Sequence, residues 1–131
     1  MSKKILVIDD DPLILKTISK MLEGEGLHVD ACQSGREALA IVNGRTIDLV
    51  ISDIRMPGMD GVETIHLMID RYKAADKDTP PFIFITGYAD ELVNQQAREL
   101  EPTDFICKPF NRYDFIRSVK SALNLPAGDD F

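Results

Sequence analysis

Residues 48–61 read DLVISDIRMPGMDG, a short apolar run that ends at an acidic residue and is followed by a loop. An uninterrupted apolar run of this length is typical of a strand that is buried on both faces of a sheet. Proline and glycine residues then break the pattern, which predicts a turn-rich segment. The stretch therefore predicts a strand over residues 48–53 that carries the carboxylate of Asp53 to the edge of a sheet.

Four further segments have the composition of strands, and helix-spaced apolar residues separate them. The predicted strands, including the one above, cover residues 5–8, 27–32, 48–53, 82–85 and 103–107. The predicted helices follow in turn from Pro12, from Ser34 (with Glu37 as a capping-box partner) to Gly44, from Val62, over residues 89–100, and from Asn111. Five strands that alternate with five helices predict an α/β fold, a doubly wound parallel sheet with helices on both faces.

Several elements carry more specific expectations. The second strand is polar and should lie near an edge, and the helix over residues 89–100 should be the most exposed one. Residues 73–81 contain two prolines and should form a surface loop. The last helix should direct Tyr113, together with the apolar residues that follow it, toward the core. Both cysteines, Cys32 and Cys107, should be small buried hydrophobic groups in a reduced, cytoplasmic protein.

Length and charge narrow the classes of function. The chain of 131 residues fits one domain, which we expect over residues 1–125, with a disordered tail over 126–131. A net charge of −7 argues against direct binding of nucleic acid or of an anionic membrane. No apolar run is long enough to span a bilayer, and the first one is too short for a secretory signal. The sequence also lacks a glycine-rich phosphate loop.

Polar residues follow the predicted strands at the points where the strands end. Asp9 and Asp10 follow the first strand, Asp53 ends the third, Thr86 follows the fourth and Lys108 follows the fifth. In open parallel sheets, sites form where the carboxyl ends of the strands meet. Each residue alone is a weak signal, because an aspartate after a strand is more often a turn former. Because all of these residues are expected at the same edge of the sheet, which we call the rim, together they predict a functional site.

The charges of this rim indicate its chemistry. Two close carboxylates repel each other by about 4 kcal/mol at an effective dielectric constant near 20. Such groups take up protons or bind a cation, and hard oxygen ligands suit Mg²⁺. A metal beside Asp53 would neutralise an incoming phosphoryl group, so that a carboxylate oxygen can attack it. Lys108 and the Thr86 hydroxyl could then stabilise phosphoryl oxygens. A purely structural acidic rim capped by Lys108 is the alternative, but it does not explain Thr86.

The chain resembles the receiver domains of two-component response regulators, including the chemotaxis regulators, over residues 4–124. The resemblance rests on four motifs: the acidic pair 9–10 after ILVI, Asp53 within DIRMPGMDG, the Thr-Gly pair at 86–87, and FICKPF at 105–110. It implies a flavodoxin-like three-layer sandwich with strand order 2-1-3-4-5. It also implies that the domain is a signalling phosphoacceptor, not an enzyme, and that it catalyses only its own phosphorylation and dephosphorylation.

The same resemblance assigns roles at the rim. Asp53 would accept phosphate from a histidine kinase or a histidine phosphotransfer protein. Asp10 and Asp53, with Asp9 partly through water, would bind Mg²⁺ (or Mn²⁺) together with the backbone carbonyl of Arg55. Lys108 would precede a cis proline, Pro109.

A conformational switch is also implied. Thr86 and Phe105 would form the switch pair, the hydroxyl moving toward the phosphate while the ring turns inward. The surface that responds would consist of helix four, strand five and helix five, and it could support phosphorylation-dependent dimerisation. A plain core role for Phe105 is the alternative. The downstream target or linked output domain is not identified by the sequence.

Residues beside the hydrolytic path predict a long-lived phosphoryl group. Arg55 lies two residues after Asp53, and Tyr88 lies two residues after Thr86. In this family, residues at these positions flank the path of the water that hydrolyses the aspartyl phosphate. Neither carries a carboxylate or amide that could orient this water, so autodephosphorylation should be slow.

Two other functions remain open at this point. A Mg²⁺-dependent hydrolase with an aspartyl-phosphate intermediate usually has a second acid two residues after the nucleophile, where this chain has Arg55. An interaction module that no longer takes phosphate would not need the full set of Asp10, Asp53, Thr86 and Lys108.

Overall fold

The computed structural model describes residues 2–43, 45–87 and 91–126, and strands alternate with helices throughout these ranges. The elements are β1 (Lys4–Ile8), α1 (Pro12–Glu23), β2 (His28–Cys32), α2 (Gly35–Val42), β3 (Leu49–Asp53), α3 (Gly61–Ala74), β4 (Phe82–Thr86), α4 (Glu91–Glu99), β5 (Asp104–Cys107) and α5 (Arg112–Ala122).

All neighbouring strands pair in parallel, as the sequence pattern predicted, and their order β2-β1-β3-β4-β5 is the one that the family resemblance implied. The register brings the strand ends to one edge: Ile8 pairs with Ser52, Asp53 with Ile85 and Thr86 with Cys107. The residues that follow β1, β3, β4 and β5 therefore meet at the same rim of the sheet.

Apolar side chains fill both faces of the sheet and form two separate cores. Alternate residues of the central strands point to opposite faces, because a strand has a period of two. Helices α2, α3 and α4 pack on one face, around residues such as Phe84 and Met68. Helices α1 and α5 pack on the other face, around residues such as Ile51 and Phe115. The result is the predicted three-layer sandwich.

Polar side chains fix the starts of four helices. Asp11, Ser34, Asp60 and Asn111 each accept a hydrogen bond from a backbone N–H of the following first turn. These bonds satisfy donors that have no partner within the helix. The predicted starts at Ser34 and Asn111 are confirmed.

The two edges of the sheet are more exposed than its centre. The predicted edge position of β2 is confirmed, because of its described residues only Cys32 is buried. Helix α4 is the most exposed helix, and Ala97 is the single buried residue among its described side chains.

Two expectations about individual residues and one about a loop boundary are wrong. Cys107 is exposed, because β5 is an edge strand of four residues with little cover at its end. Tyr113 is 42% exposed, and Phe115 occupies the core position instead. The helical spacing of 100° per residue lets residues 115, 116 and 119 face the sheet together, which leaves Tyr113 outside. Helix α3 continues to Ala74, so the predicted surface loop begins two residues later than expected.

Some predictions fall on parts of the chain that the structure does not describe. They concern Gly44 as a helix stop, Tyr88 beside the site, and most of the tail over residues 126–131. The boundary of the domain at residue 125 therefore stays a prediction. Among the described helices, none has the length and apolar character that crossing a membrane requires.

Candidate functional site

Asp53 is the last residue of β3 and lies in the middle of the sheet. Only 5% of its surface is exposed, since β1 and β4 flank the strand on either side. Pairing continues one residue further, where the Ile54 N–H donates to the carbonyl of Ile85 at 3.1 Å. One carboxylate oxygen, Oδ1, is buried and accepts no hydrogen bond from the described residues. A buried carboxylate oxygen of this kind favours a ligand that can satisfy it.

Two more aspartates face Asp53 from the end of β1. Asp9 is 1% exposed, and its Oδ1 accepts a hydrogen bond from the Asp11 N–H at 2.9 Å. Asp10 is exposed to solvent. Asp9, Asp10 and Asp53 each offer one carboxylate oxygen, and these oxygens all lie within 4.8 Å of one another. This separation is short enough for the three oxygens to share one cation.

Lys108 brings a positive charge to the same rim. Its Nζ lies 3.3 Å from Asp9 Oδ2 and 3.5 Å from Asp53 Oδ2, so it bridges the two buried carboxylates. The Lys108 backbone N–H donates to the carbonyl of Thr86 at 2.7 Å, which ties the end of β5 to the end of β4. The peptide bond between Lys108 and Pro109 is cis, as predicted.

Burial and neighbouring charge raise the pKa of Asp53 from its ordinary value of 3.8 to about 6. Desolvation is the largest cause, because a buried carboxyl group loses the water that stabilises its charged form. The negative charge of Asp9 raises the pKa further, and Asp10 adds a smaller effect. The Lys108 ammonium acts in the opposite direction. One lysine thus compensates only part of the repulsion among three acids, and the site favours further positive charge.

This raised pKa predicts how stability depends on pH in protein kept free of divalent cations. Between pH 4 and pH 6 the folded chain holds a proton on Asp53 that the unfolded chain has released, so stability falls as the pH rises. Removal of the charge by Asp53→Asn should therefore stabilise the fold at pH 7, by up to about 3 kcal/mol, and have little effect near pH 4. Urea unfolding with a chelator present measures both values. Asp78→Asn, in the exposed loop before β4, is the control, and an equal effect of Asp53→Asn at both pH values would contradict the prediction.

The loop after Asp53 is held by close backbone packing. The Gly61 N–H donates to the carbonyl of Ile54 at 2.7 Å, and a Cβ atom at Gly61 would overlap the carbonyl oxygen of Asp53. Met56 is buried in the core, which anchors the loop, and the side chain of Arg55 is exposed. The sequence pattern predicts only a turn at Gly61. Its position at the first turn of α3, where a glycine lowers helix propensity, is the signal that could have identified it.

The predicted switch residues lie on neighbouring strands. Thr86 ends β4 and is 2% exposed. Phe105 pairs with Phe84 in the register of β4 and β5 and is only partly buried. The guanidinium of Arg98 in α4 lies 4.2 Å from the centre of the Phe105 ring, within the range of a cation–π interaction. No local sequence pattern points to Arg98, because this contact depends on how α4 packs beside β5.

The rim therefore collects five of the predicted site residues: Asp9, Asp10, Asp53, Thr86 and Lys108. Arg55 lies in the adjoining loop, and Phe105 lies within β5, two residues before its end. The donor set on the rim fits a divalent cation with a preference for oxygen, since it offers three carboxylates and one buried oxygen without a protein partner.

Comparison with known proteins points to one family. The model of the response regulator receiver domain matches residues 5–120. The transcriptional regulatory protein ResD of Bacillus subtilis is 32% identical over 120 residues, which are 92% of this chain and 48% of ResD. An uncharacterized 14.6 kDa protein from the sodA1 3' region of Leptolyngbya boryana is 37% identical over 116 residues, which are 88% of this chain and 86% of that protein.

The fold has close counterparts among solved structures. The crystal structure of a CheY-like response regulator receiver domain protein from Methanospirillum hungatei superposes with a TM-score of 0.83 at 29% identity, covering 95% of each chain. The coverage of longer relatives is smaller, and this chain spans about half the length of ResD.

Proposed function

Because the chain belongs to the response regulator receiver domains of two-component systems, we propose that it accepts a phosphoryl group on Asp53 and acts as a phosphorylation-controlled switch. The observation that carries the proposal is the environment of Asp53. Its carboxylate is buried, has one oxygen without a protein partner, and lies beside two further aspartates and a lysine.

The residues of the rim can perform the transfer in one displacement. A carboxylate oxygen of Asp53 forms a bond to phosphorus as the bond between phosphorus and the nitrogen of a phosphohistidine breaks, and the electron pair returns to the imidazole. Lys108, which already contacts Asp53, can hold a phosphoryl oxygen by charge. The Thr86 hydroxyl on the neighbouring strand is a donor for another oxygen.

Asp9, Asp10 and Asp53, with the backbone carbonyl of Arg55, are the residues that would hold Mg²⁺ or Mn²⁺. Such an ion supplies positive charge against the phosphoryl oxygens. Asp9 is already fixed by its bond from Asp11 and by Lys108, which supports an indirect role for it, whereas Asp10 is open to solvent.

Phosphorylation would be transmitted through Thr86 and Phe105. A phosphoryl group adds nearly two negative charges and several acceptors, which can draw the Thr86 hydroxyl toward Asp53. Inward rotation of the Phe105 ring would then break its contact with Arg98 and change how α4 packs beside β5. The responding surface would be formed by α4, β5 and α5, and it is the surface on which a dimer or a downstream protein would act.

We further propose that the phosphodonor is a histidine kinase or a histidine phosphotransfer protein and that the domain works in the cytoplasm. The receiver domain would cover residues 1–125. Since ResD is about twice as long as this chain, the output could lie in a linked domain or in a separate protein.

One experiment separates this function from the two alternatives named above. The protein is incubated with Mg²⁺ and acetyl phosphate, and its intact mass is followed together with the release of inorganic phosphate. A base-labile gain of one phosphate per chain supports the switch. Rapid multiple turnover of a phosphoester, supplied in a parallel incubation, would instead indicate a hydrolase, and the absence of any gain would indicate an interaction module.

The lifetime of the phosphoryl group provides a separate prediction. Arg55 is exposed beside the site and cannot orient a water molecule as an amide does, so the phosphorylated protein should decay over minutes or longer. Arg55→Asn should shorten this lifetime by about tenfold, since a group that only orients water contributes less than a full general base. Decay of the phosphorylated mass after removal of the donor measures it. Arg36→Asn, at an exposed position of α2, is the control, and a lifetime of seconds in the unmodified chain would refute the prediction.

A further inference from the structure

A groove of about 430 Å³ lies between α3 and α4. Its apolar lining comes from Val62 and Leu67 of α3 and from Leu100 just after α4. Leu67 is 40% exposed, so the groove presents apolar surface to solvent. None of the residues that line the groove belongs to the phosphoacceptor site.

The charged residues around this groove have one sign. Glu63 and Glu99 line it from opposite helices, and both are exposed. The imidazole of His66 also lines it, and its Nδ1 lies 3.5 Å from the carboxylate of Asp70. Within the part of the chain that the structure describes, no lysine or arginine lines the groove. It therefore combines an apolar floor with an acidic border.

Charge decides among the possible occupants. A second copy of this chain in a symmetric contact would bring Glu63 and Glu99 against the same acidic border, and each chain carries a net charge of −7. Nucleic acid is excluded by the same argument. A cationic helix with apolar residues on one face complements both the apolar lining and the acidic border of the groove. Amphipathic helices commonly bind in grooves of this kind.

The dimensions agree with this occupant. A volume of about 430 Å³ lies within the range of pockets that bind ligands in proteins. The lining residues recur at helical spacing, at 62, 63, 66 and 67 on α3 and at 96, 99 and 100 at the end of α4, so the groove runs along more than one turn of α3 and along the last turn of α4. We propose that the groove between α3 and α4 is a docking site for a helical segment of a partner protein that carries apolar residues on one face and lysine or arginine beside them.

The test uses the unphosphorylated full chain, so its outcome does not depend on the proposed phosphoryl transfer. The probe is a fourteen-residue peptide of leucine and lysine, with the leucines on one helical face. Titration into ¹⁵N-labelled protein should shift the amide signals of the groove residues in a saturable manner. Leu67→Ser should weaken binding by about fivefold, because the exposed leucine gains burial only in the complex.

A charge-reversed pair of variants separates docking from general attraction to an acidic protein. Glu99→Lys and Glu23→Lys both replace the last residue of a helix and change the net charge equally, but only Glu99 lines the groove. Glu99→Lys should weaken binding by about threefold or more, and Glu23→Lys should leave it nearly unchanged.

Three results would overturn the proposal. Equal effects of Glu99→Lys and Glu23→Lys would show nonspecific attraction. Amide shifts centred on Asp10 and its neighbours would place the peptide at the rim. Sedimentation of a dimer that Leu67→Ser dissociates would assign the groove to a second copy of the chain.

Discussion

Asp53→Asn is expected to eliminate phosphoryl acceptance completely. An amide has no negative charge and its oxygen is a poor nucleophile, so the displacement at phosphorus has no attacking group. The substitution keeps the size of the side chain, and the fold should persist because it removes a charge that burial disfavours. Intact mass after incubation with Mg²⁺ and acetyl phosphate should show one added phosphate in the unmodified chain and none in the variant.

The control for this experiment is Asp78→Asn, in the exposed loop before β4, which should gain phosphate normally. Circular dichroism of each variant shows whether the fold is retained, so that a loss of phosphorylation can be assigned to the missing carboxylate and not to unfolding. Residual phosphorylation of Asp53→Asn at the normal rate would contradict the assignment and direct attention to Asp9 or Asp10.

Gly61→Ala is the second large effect that we expect. A Cβ atom at this position would overlap the carbonyl oxygen of Asp53 and press on the backbone of Ile54. Backbone atoms cannot rotate away as the end of a side chain can, so either α3 or the end of β3 must move. We expect a loss of about 1–3 kcal/mol in the free energy of unfolding, together with slower phosphorylation, since the displaced strand end carries the phosphoacceptor.

Urea unfolding and the initial rate of mass gain measure the two effects of Gly61→Ala. Gly87→Ala is the matched control for stability, because a Cβ atom there would meet only the side chain of Lys108, at 3.5 Å, which is an ordinary contact distance. If Gly61→Ala were as stable and as fast as the unmodified chain, the close packing of α3 against β3 would not be important for the site.

Sequence patterns predicted the frame of the molecule and most of its site for a simple reason. The central strands are continuous apolar runs, and polar residues such as Asp53 and Thr86 follow directly where the runs end. A parallel sheet brings those ends together whatever the details of helix packing. Asp9, Asp10, Asp53 and Lys108 therefore converge as expected.

Features that depend on tertiary packing could not be predicted from local sequence patterns. Cys107 has an apolar sequence environment, but it lies at the end of an edge strand and is exposed. The contact of Arg98 with Phe105 joins two elements whose relative placement no local pattern specifies. The same holds for Gly61 against Asp53 and for the groove between α3 and α4, since each requires two elements to approach closely.

The central claim is that Asp53 itself becomes phosphorylated, and the position of the phosphate tests it most directly. The phosphorylated chain is reduced with borohydride, which converts an aspartyl phosphate to homoserine, and the peptides are sequenced by tandem mass spectrometry. Homoserine at residue 53, dependent on Mg²⁺ and on the phosphodonor, is the predicted result. Homoserine at another aspartate, or its absence from a chain that has gained phosphate, would contradict the account.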